Sequence, residues 1–298
     1  MIRYPVKPQA LLDQITKLKP TWLADAQQRT QTYLAAQSYT GGKDFWGDIK
    51  DVYIDLQHEK CAYCETRLQG KVYARKVHEV EHFRPKGQVR IWPNRKKKVW
   101  RDFPQGISTG AGDAKGYYAL AYHPFNYAIA CTRCNSSLKS DHFPVRGVRN
   151  IALEDPSAAA FEDHLLVYPI STIDDDPRTL IRFDGVLAVP VHKSGPLNER
   201  ALTTIWFFDL NHQDLTTRRA GRILNLWVAL ENRRLADSAV GRQIAQDQVD
   251  KSLGPAGEFS ACLRDFAAVY AQNRSLAEQT ALAAGQLFPG TAGPTPAA

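Results

Sequence analysis

Four of the five cysteines fall in two C-x-x-C pairs, Cys61-Ala-Tyr-Cys64 and Cys131-Thr-Arg-Cys134. Two such knuckles can bring four thiolates into tetrahedral range around one zinc ion. Paired C-x-x-C at long separation in a chain of cytosolic character reads as metal binding rather than as a disulfide framework. Because 66 residues separate Cys64 from Cys131, the segment between them is expected to loop out from a base pinned by the metal. A site made of four thiolates is closed, so it scaffolds and does not catalyse. The leftover Cys262, in FSACLRDF, reads as a small buried apolar residue.

The run His78-Glu-Val-Glu-His82 also invites a metal, since it fits the H-E-x-x-H pattern of zinc peptidases. That chemistry needs a helix placing both histidines on one face at i and i+4. Here Pro85 follows His82 by three residues and Gly87 comes next, which terminates a helix and biases Arg84 to extended backbone. The preceding KVYARKVHEV is rich in β-branched and aromatic residues, as strands are. On a strand His78 and His82 would sit about 13 Å apart, too far for one zinc. The peptidase reading is therefore set aside, with Glu81-His82 expected at a strand end.

Charge points to a partner. Residues 67–101 hold twelve Lys/Arg against two acids, a local net of +10 in a chain of net +7, which leaves −3 elsewhere. A basic block in an otherwise slightly acidic chain suits a polyanion, most commonly nucleic acid, and a solvated basic loop is the plain alternative. No apolar run reaches membrane-spanning length and MIRYPVKPQALLDQ has no signal-type apolar core, so no membrane and a cytoplasmic location are expected.

The elements that must position these residues read as α+β. Apolar spacing over 8–38 predicts two helices broken near Pro20, and FWGDIKDVYIDLQHEK predicts another that delivers the chain to the first knuckle. The expected organisation is an N-terminal helical region at 1–58 and a metal-organised module at 59–148, with 87–116 as a long basic loop. A C-terminal region at 149–288 is extended first and then helical, and 289–298 is a disordered tail. In the C-terminal region a turn is expected at Asp184-Gly185, helices over about 199–250 with a break near Asn211, and a last helix over about 257–286. The apolar residues of 205–230 are expected to serve core packing more than a protein interface.

Several of these motifs together resemble the HNH endonucleases of the ββα-metal or His-Me finger fold. Zinc-bearing members run C-x-x-C, an acid–His pair before proline, then N-x4-C-x-x-C-N with a nearby Lys. Here these are C61-A-Y-C64, E81-H82-F-R-P85, N126-Y-A-I-A-C131-T-R-C134-N135 and Lys139. CAYCE, EHFRPK, YYALAY, CNSSLK before FP, and ERALTTIWFFDLN are similar to the PtuB-type HNH nucleases of Septu and retron-associated anti-phage systems. The likeness spans roughly residues 45–222. It departs in having Glu81 where many members have Asp, Asn135 in place of the last His, and Lys139 four residues after that Asn instead of three.

The resemblance implies an HNH core with a four-cysteine zinc site, flanked by N- and C-terminal helical regions. It implies a phosphodiester hydrolase with DNA as the favoured substrate, acting as the effector nuclease of an anti-phage system. His82 would be the general base, and Glu81 and Asn135 would hold one catalytic Mg²⁺ or Mn²⁺. Asn126 would hold the His82-bearing loop or orient its imidazole, and Lys139, Arg84 and Lys86 would contact phosphates. One structural Zn²⁺ would sit on Cys61, Cys64, Cys131 and Cys134, and a PtuA-type ATPase would be the partner. An RNA endonuclease acting on tRNA, and a non-catalytic zinc-stabilised nucleic-acid-binding module, are the competing readings.

Overall fold

Proline at the first turn and apolar residues one face apart start the chain as a helix. α1 (Pro8–Leu18) buries Leu11 and Ile15, and α2 (Trp22–Ala36) buries Trp22, Ala26 and Tyr33. The break falls at Lys19-Pro20, as the spacing predicts. The structure, a computed structural model, describes residues 1–68, 80–158 and 162–287. His78, most of the strand expected over 71–80, and the expected tail at 289–298 therefore lie outside the described residues.

A short 3₁₀ turn, Trp46–Ile49, runs into α3 (Lys50–Leu56), which buries Val52, Tyr53 and Ile54. β1 (Val80–His82) pairs antiparallel with β2 (Tyr127–Ile129), with Val80 opposite Ile129, Glu81 opposite Ala128 and His82 opposite Tyr127. All six strand residues are buried, so the usual alternation of wet and dry positions is missing. A segment of helix wound with i→i+5 bonds, Arg133–Lys139, follows β2. With its helices and two small sheets the chain is α+β.

Between β1 and β2, residues 87–116 form no long element but are anchored. Trp92, Trp100 and Phe103 are buried, with Trp92 4.5 Å from Phe103 and 5.2 Å from Phe207, and Trp100 5.9 Å from Phe207, between ring centroids. The Trp100 indole donates to the Phe207 carbonyl at 3.3 Å. Sparse aromatic anchors explain why the segment is ordered with so little periodicity.

The chain divides into two compact units, Met1–Ile181 with Pro190–Asp209, and Arg182–Val189 with Leu210–Ala298. The hairpin of β3 (Ile181–Asp184) and β4 (Leu187–Pro190) turns at Gly185, whose φ of +55° suits glycine. α4 (Gly195–Phe207) belongs to the first unit. In the second, α5 (Gln213–Leu235), α6 (Ala239–Leu253), α7 (Ser260–Gln272) and α8 (Arg274–Leu287) pack on one another. Ile223, Leu226, Leu230, Val249, Leu263 and Phe266 are buried there, and Cys262 is buried with its thiol 3.3 Å from the Gly185 carbonyl.

Four breaks divide the C-terminal helices, where the spacing predicts two, near Asn211 and at about 250–257. The expected interruption near Asn211 is present, capped by His212, whose Nδ1 accepts from Asp214 N. Ser238 starts α6 by accepting from Gly241 N at 3.0 Å, and Asn273 starts α8 by accepting from Leu276 N at 3.1 Å. Both are side-chain caps that compete with helix continuation; Ser238 interrupts the helix expected to run on to about 250, and Asn273 the last helix expected over about 257–286. Of the apolar residues in 205–230, Ile205, Phe207, Phe208 and Leu226 are buried and Trp206, Leu224 and Trp227 half-buried. Among the described residues no helix is long and apolar enough to cross a membrane.

Candidate functional site

The two knuckles meet. The Sγ atoms of Cys61, Cys64, Cys131 and Cys134 all lie within 4.8 Å of one another, and those of Cys64 and Cys131 are 3.8 Å apart. A tetrahedron with Zn–S of about 2.3 Å has edges of roughly 3.8 Å, so the cluster has the size of a zinc site. Burial pushes the Cys61 thiol up, while hydrogen bonds from Cys131 and Cys134 hold Cys64 well below the usual thiol range.

The knuckle is tied to the strand pair by long-range polar contacts. Ala62 N donates to the Ile129 carbonyl, and the Gln57 amide both accepts from Ile129 N and donates to Ile129 O. Tyr63, inside the first knuckle and stacked on Phe208, donates its hydroxyl to Glu81 Oε2. The thiol cluster therefore positions the acid of β1 directly, a link the sequence motif does not announce.

His82 sits at the end of β1, 9% exposed, with its ring edge-on to Trp46 and Tyr127 at 4.8 and 5.1 Å. Its Nε2 lies 3.0 Å from the Ala121 carbonyl. A carbonyl only accepts, so Nε2 carries the proton and Nδ1 keeps a lone pair. Burial, followed by the nearby Lys86 ammonium, holds the imidazole well below the usual histidine range, so the ring is neutral. Because His82 lies on a strand, the helical presentation that H-E-x-x-H requires is not made.

Asn126 is fully buried and spends every polar atom on backbone. Its Oδ1 accepts from Arg84 N at 2.7 Å, and its Nδ2 donates to the carbonyls of Arg84 and Leu120, each at 3.0 Å. It therefore clamps the turn after His82 to the segment whose next carbonyl, Ala121, holds the imidazole. Tyr127 hydroxyl donates to that same carbonyl at 2.6 Å.

Glu81, His82, Lys86 and Asn135 line one cleft of about 410 Å³, together with Tyr39, Gln88 and Asp141. Asn135 is half-buried at the start of the wide-turn helix, where its own N donates to Cys131 O and its carbonyl accepts from Ser140 N. The wider i→i+5 turn keeps Lys139, four residues on, pointed inward. Lys86 lies over Trp46 with Nζ 4.6 Å from the ring centroid.

Two of the three residues expected at phosphates are placed elsewhere. Lys139 is fully buried, with Nζ 3.2 Å from Glu81 Oε1 and donating to the His82 carbonyl at 3.2 Å. Arg84 is 2% exposed, with Nε donating to Glu162 Oε2 at 3.1 Å and its guanidinium over the Phe143 ring. Both are structural cations in this arrangement. Burial of a cation is favourable only beside a fixed anion, and Glu81 and Glu162 supply it. Lys86 is the one of the three that lines the cleft.

Glu162 also accepts from Tyr117 hydroxyl at 2.7 Å and from Asn150 N at 3.0 Å. Glu162→Gln preserves an acceptor for these two but removes the countercharge of Arg84. It is expected to cost about 3–5 kcal/mol, read from the urea midpoint; an unchanged midpoint would show that the pair does not hold this turn.

Acid should weaken the turn as well. Burial holds His123 down to about 4, and its Nδ1 accepts from Phe125 N at 3.2 Å. Above pH of about 6.5 the ring is neutral folded or unfolded and contributes no pH dependence. Between there and about 4 only the unfolded chain takes up the proton, so stability falls as pH falls and then levels off, about 3 kcal/mol lower. His123→Asn, which can still accept from Phe125 N, is expected to flatten that part of the urea-midpoint profile.

A curated protein similar to this chain is the Septu protein PtuB of Bacillus mycoides (strain KBAB4). It is 28% identical over 172 residues, 58% of this chain and 50% of that protein, so the chain spans half the length of this relative. No family model matches the chain, and no solved structure matches it.

Proposed function

We propose that the protein is a metal-dependent endonuclease of the HNH, ββα-metal type that cleaves nucleic acid in defence against phage. The observation that carries this reading is the fixed tautomer of His82. Its Nε2 proton is committed to the Ala121 carbonyl, which leaves a neutral Nδ1 as a base in a cleft shared with Glu81 and Asn135. The two-strand and helix order around the thiol cluster supports the same type, and so does the likeness to a Septu protein.

Nδ1 takes the proton of the water that attacks phosphorus. The charge that develops on the ring strengthens the Nε2–H bond to Ala121, which holds the imidazole in place. Lys86, beside the base, disfavours a resident proton on His82 and attracts the phosphate. Asn126 acts as a positioning residue through the two backbone segments that it joins.

The donors at the cleft fit a hard divalent cation, which Glu81 and Asn135 would hold. A carboxylate and an amide oxygen are the ligands such ions prefer. Glu81 Oε1 is buried with the Lys139 ammonium at 3.2 Å, so a cation held there would share that oxygen with Lys139. When bound, Mg²⁺ or Mn²⁺ supplies Lewis-acid stabilisation of the pentacoordinate phosphorus and the leaving oxygen.

Because these groups act on the phosphodiester, DNA and RNA are both accessible chemically, and we favour DNA. The sequence motifs shared with PtuB-type nucleases add a PtuA-type ATPase as the expected partner. The test is to incubate the purified protein, alone and with that ATPase, with plasmid, genomic DNA and total tRNA. Mg²⁺, Mn²⁺ or EDTA is present in each arm. Divalent-dependent nicking of DNA is expected. Cleavage of tRNA alone would move the assignment to RNA, and intact polymers in every arm would overturn it.

A further inference from the structure

Seven cations and no acid occupy residues 86–101: Lys86, Arg90, Arg95, Lys96, Lys97, Lys98 and Arg101. Five of them, Arg95 to Lys98 and Arg101, fall within seven consecutive positions and all five are exposed. Like charges so close repel one another and favour a dispersed chain, yet this segment is pinned. Trp92 and Trp100 are buried against Phe207 and Phe103 is buried against Trp92, and the Arg95 guanidinium donates to the carbonyls of Arg101 and Phe103, each at 3.0 Å.

The pinned segment is also joined to the cleft. Gln88 lines the cleft and donates to Asp141, another lining residue, and Arg90 pairs with that same Asp141 at 3.6 Å. Lys97 Nζ donates to the Ser137 carbonyl, two residues beyond Asn135 on the wide-turn helix. A second groove, lined by Arg90, Arg95 and Lys96 with the exposed Ile91, opens alongside. Positive charge thus runs from Lys86 at the base out along the segment.

We infer that residues 86–101 form a fixed electropositive platform that grips the phosphate backbone of nucleic acid beyond the cleft, to one side of the bond that is cut. The inference deepens the nuclease reading and rests on it for the identity of the polyanion. It favours a polymer as substrate, since Lys96, Lys98 and Arg101 are not among the residues that line the cleft. A polyanion releases condensed counterions when it meets such a surface, whereas an acidic protein partner offers no array of that density.

The test is binding, so that it is independent of cleavage. In a His82→Gln background, Lys96→Gln, Lys98→Gln and Arg101→Gln are combined. These side chains are exposed and away from the aromatic anchor, and melting temperature and zinc content should match the parent. Affinity for a mixed-sequence 30-base-pair duplex, the same 30-mer as a single strand, and a tetranucleotide is measured from 50 to 300 mM salt.

The triple variant is expected to bind the longer probes at least about tenfold more weakly, with the log–log salt slope lower by about 2–3, and the tetranucleotide unchanged. Unchanged affinity and slope on both long probes would overturn the platform and leave an acidic protein as its partner. Loss of binding by the triple variant, with a parental His82 chain that cuts nothing in any arm, would retain the platform and dispose of the nuclease reading instead.

Discussion

Cys131→Ser is expected to abolish zinc binding and to unfold the residues that surround the two knuckles. The four sulfurs come from positions 61–64 and 131–134 and converge within 4.8 Å, so the metal would bridge two segments that are far apart in the chain. A serine hydroxyl is a weak ligand for zinc, and loss of one of four thiolates forfeits much of a binding energy on the order of 10 kcal/mol. That exceeds the whole margin of a typical domain. The damage reaches the cleft as well. Ala62 and Tyr63 in the first knuckle, and Gln57 just before it, bind Ile129 and Glu81, so the strand pair loses its brace and Glu81 its tyrosine. Metal analysis should fall from one zinc per chain to none, with loss of the cooperative melt. His78→Ala should keep the full zinc content, which separates the thiol centre from any site at HEVEH. Equimolar zinc and an unshifted melt in Cys131→Ser would remove the structural role of the cluster.

The thiol centre was legible because its information is local: two residues at fixed spacing, twice. So was the end of β1, where Pro85 forbids a helix and leaves His82 on a short strand. Directions of long side chains were not legible. A positive charge near a candidate site suggests phosphate, but Arg84 finds its anion at Glu162, 78 positions away, and Lys139 turns back onto Glu81. The carbonyl that sets the His82 tautomer, Ala121, has no side-chain signal at all, and Tyr63 looked like an arbitrary letter inside C-x-x-C. The basic excursion concealed its anchors for a related reason. Three aromatics spread over twelve positions make no periodic pattern, although they bury as much surface as a regular element would. The helix breaks at Ser238 and Asn273 were missed because apolar periodicity runs on across a cap.

His82→Gln should leave a folded, zinc-replete protein that no longer cuts. Alanine at this position would open a gap, since the ring packs against Trp46 and Tyr127, and activity loss could then be a packing effect. Glutamine carries an amide nitrogen that can still donate to the Ala121 carbonyl but has no basic nitrogen to replace Nδ1. Removal of a positioned general base costs about 10²–10⁴ in rate, so single-turnover cleavage should fall by at least about 100-fold with substrate affinity unchanged. The matching test of positioning is Asn126→Asp. It keeps an oxygen for Arg84 N but turns the bonds to the Arg84 and Leu120 carbonyls into repulsion, so it should lose stability as well as rate. A binding module without catalysis makes the opposite forecast for His82→Gln, which would then protect cells against phage as well as the parent does. A folded His82→Gln that still cleaves at the parental rate would place the base elsewhere, and the tautomer argument would fail with it.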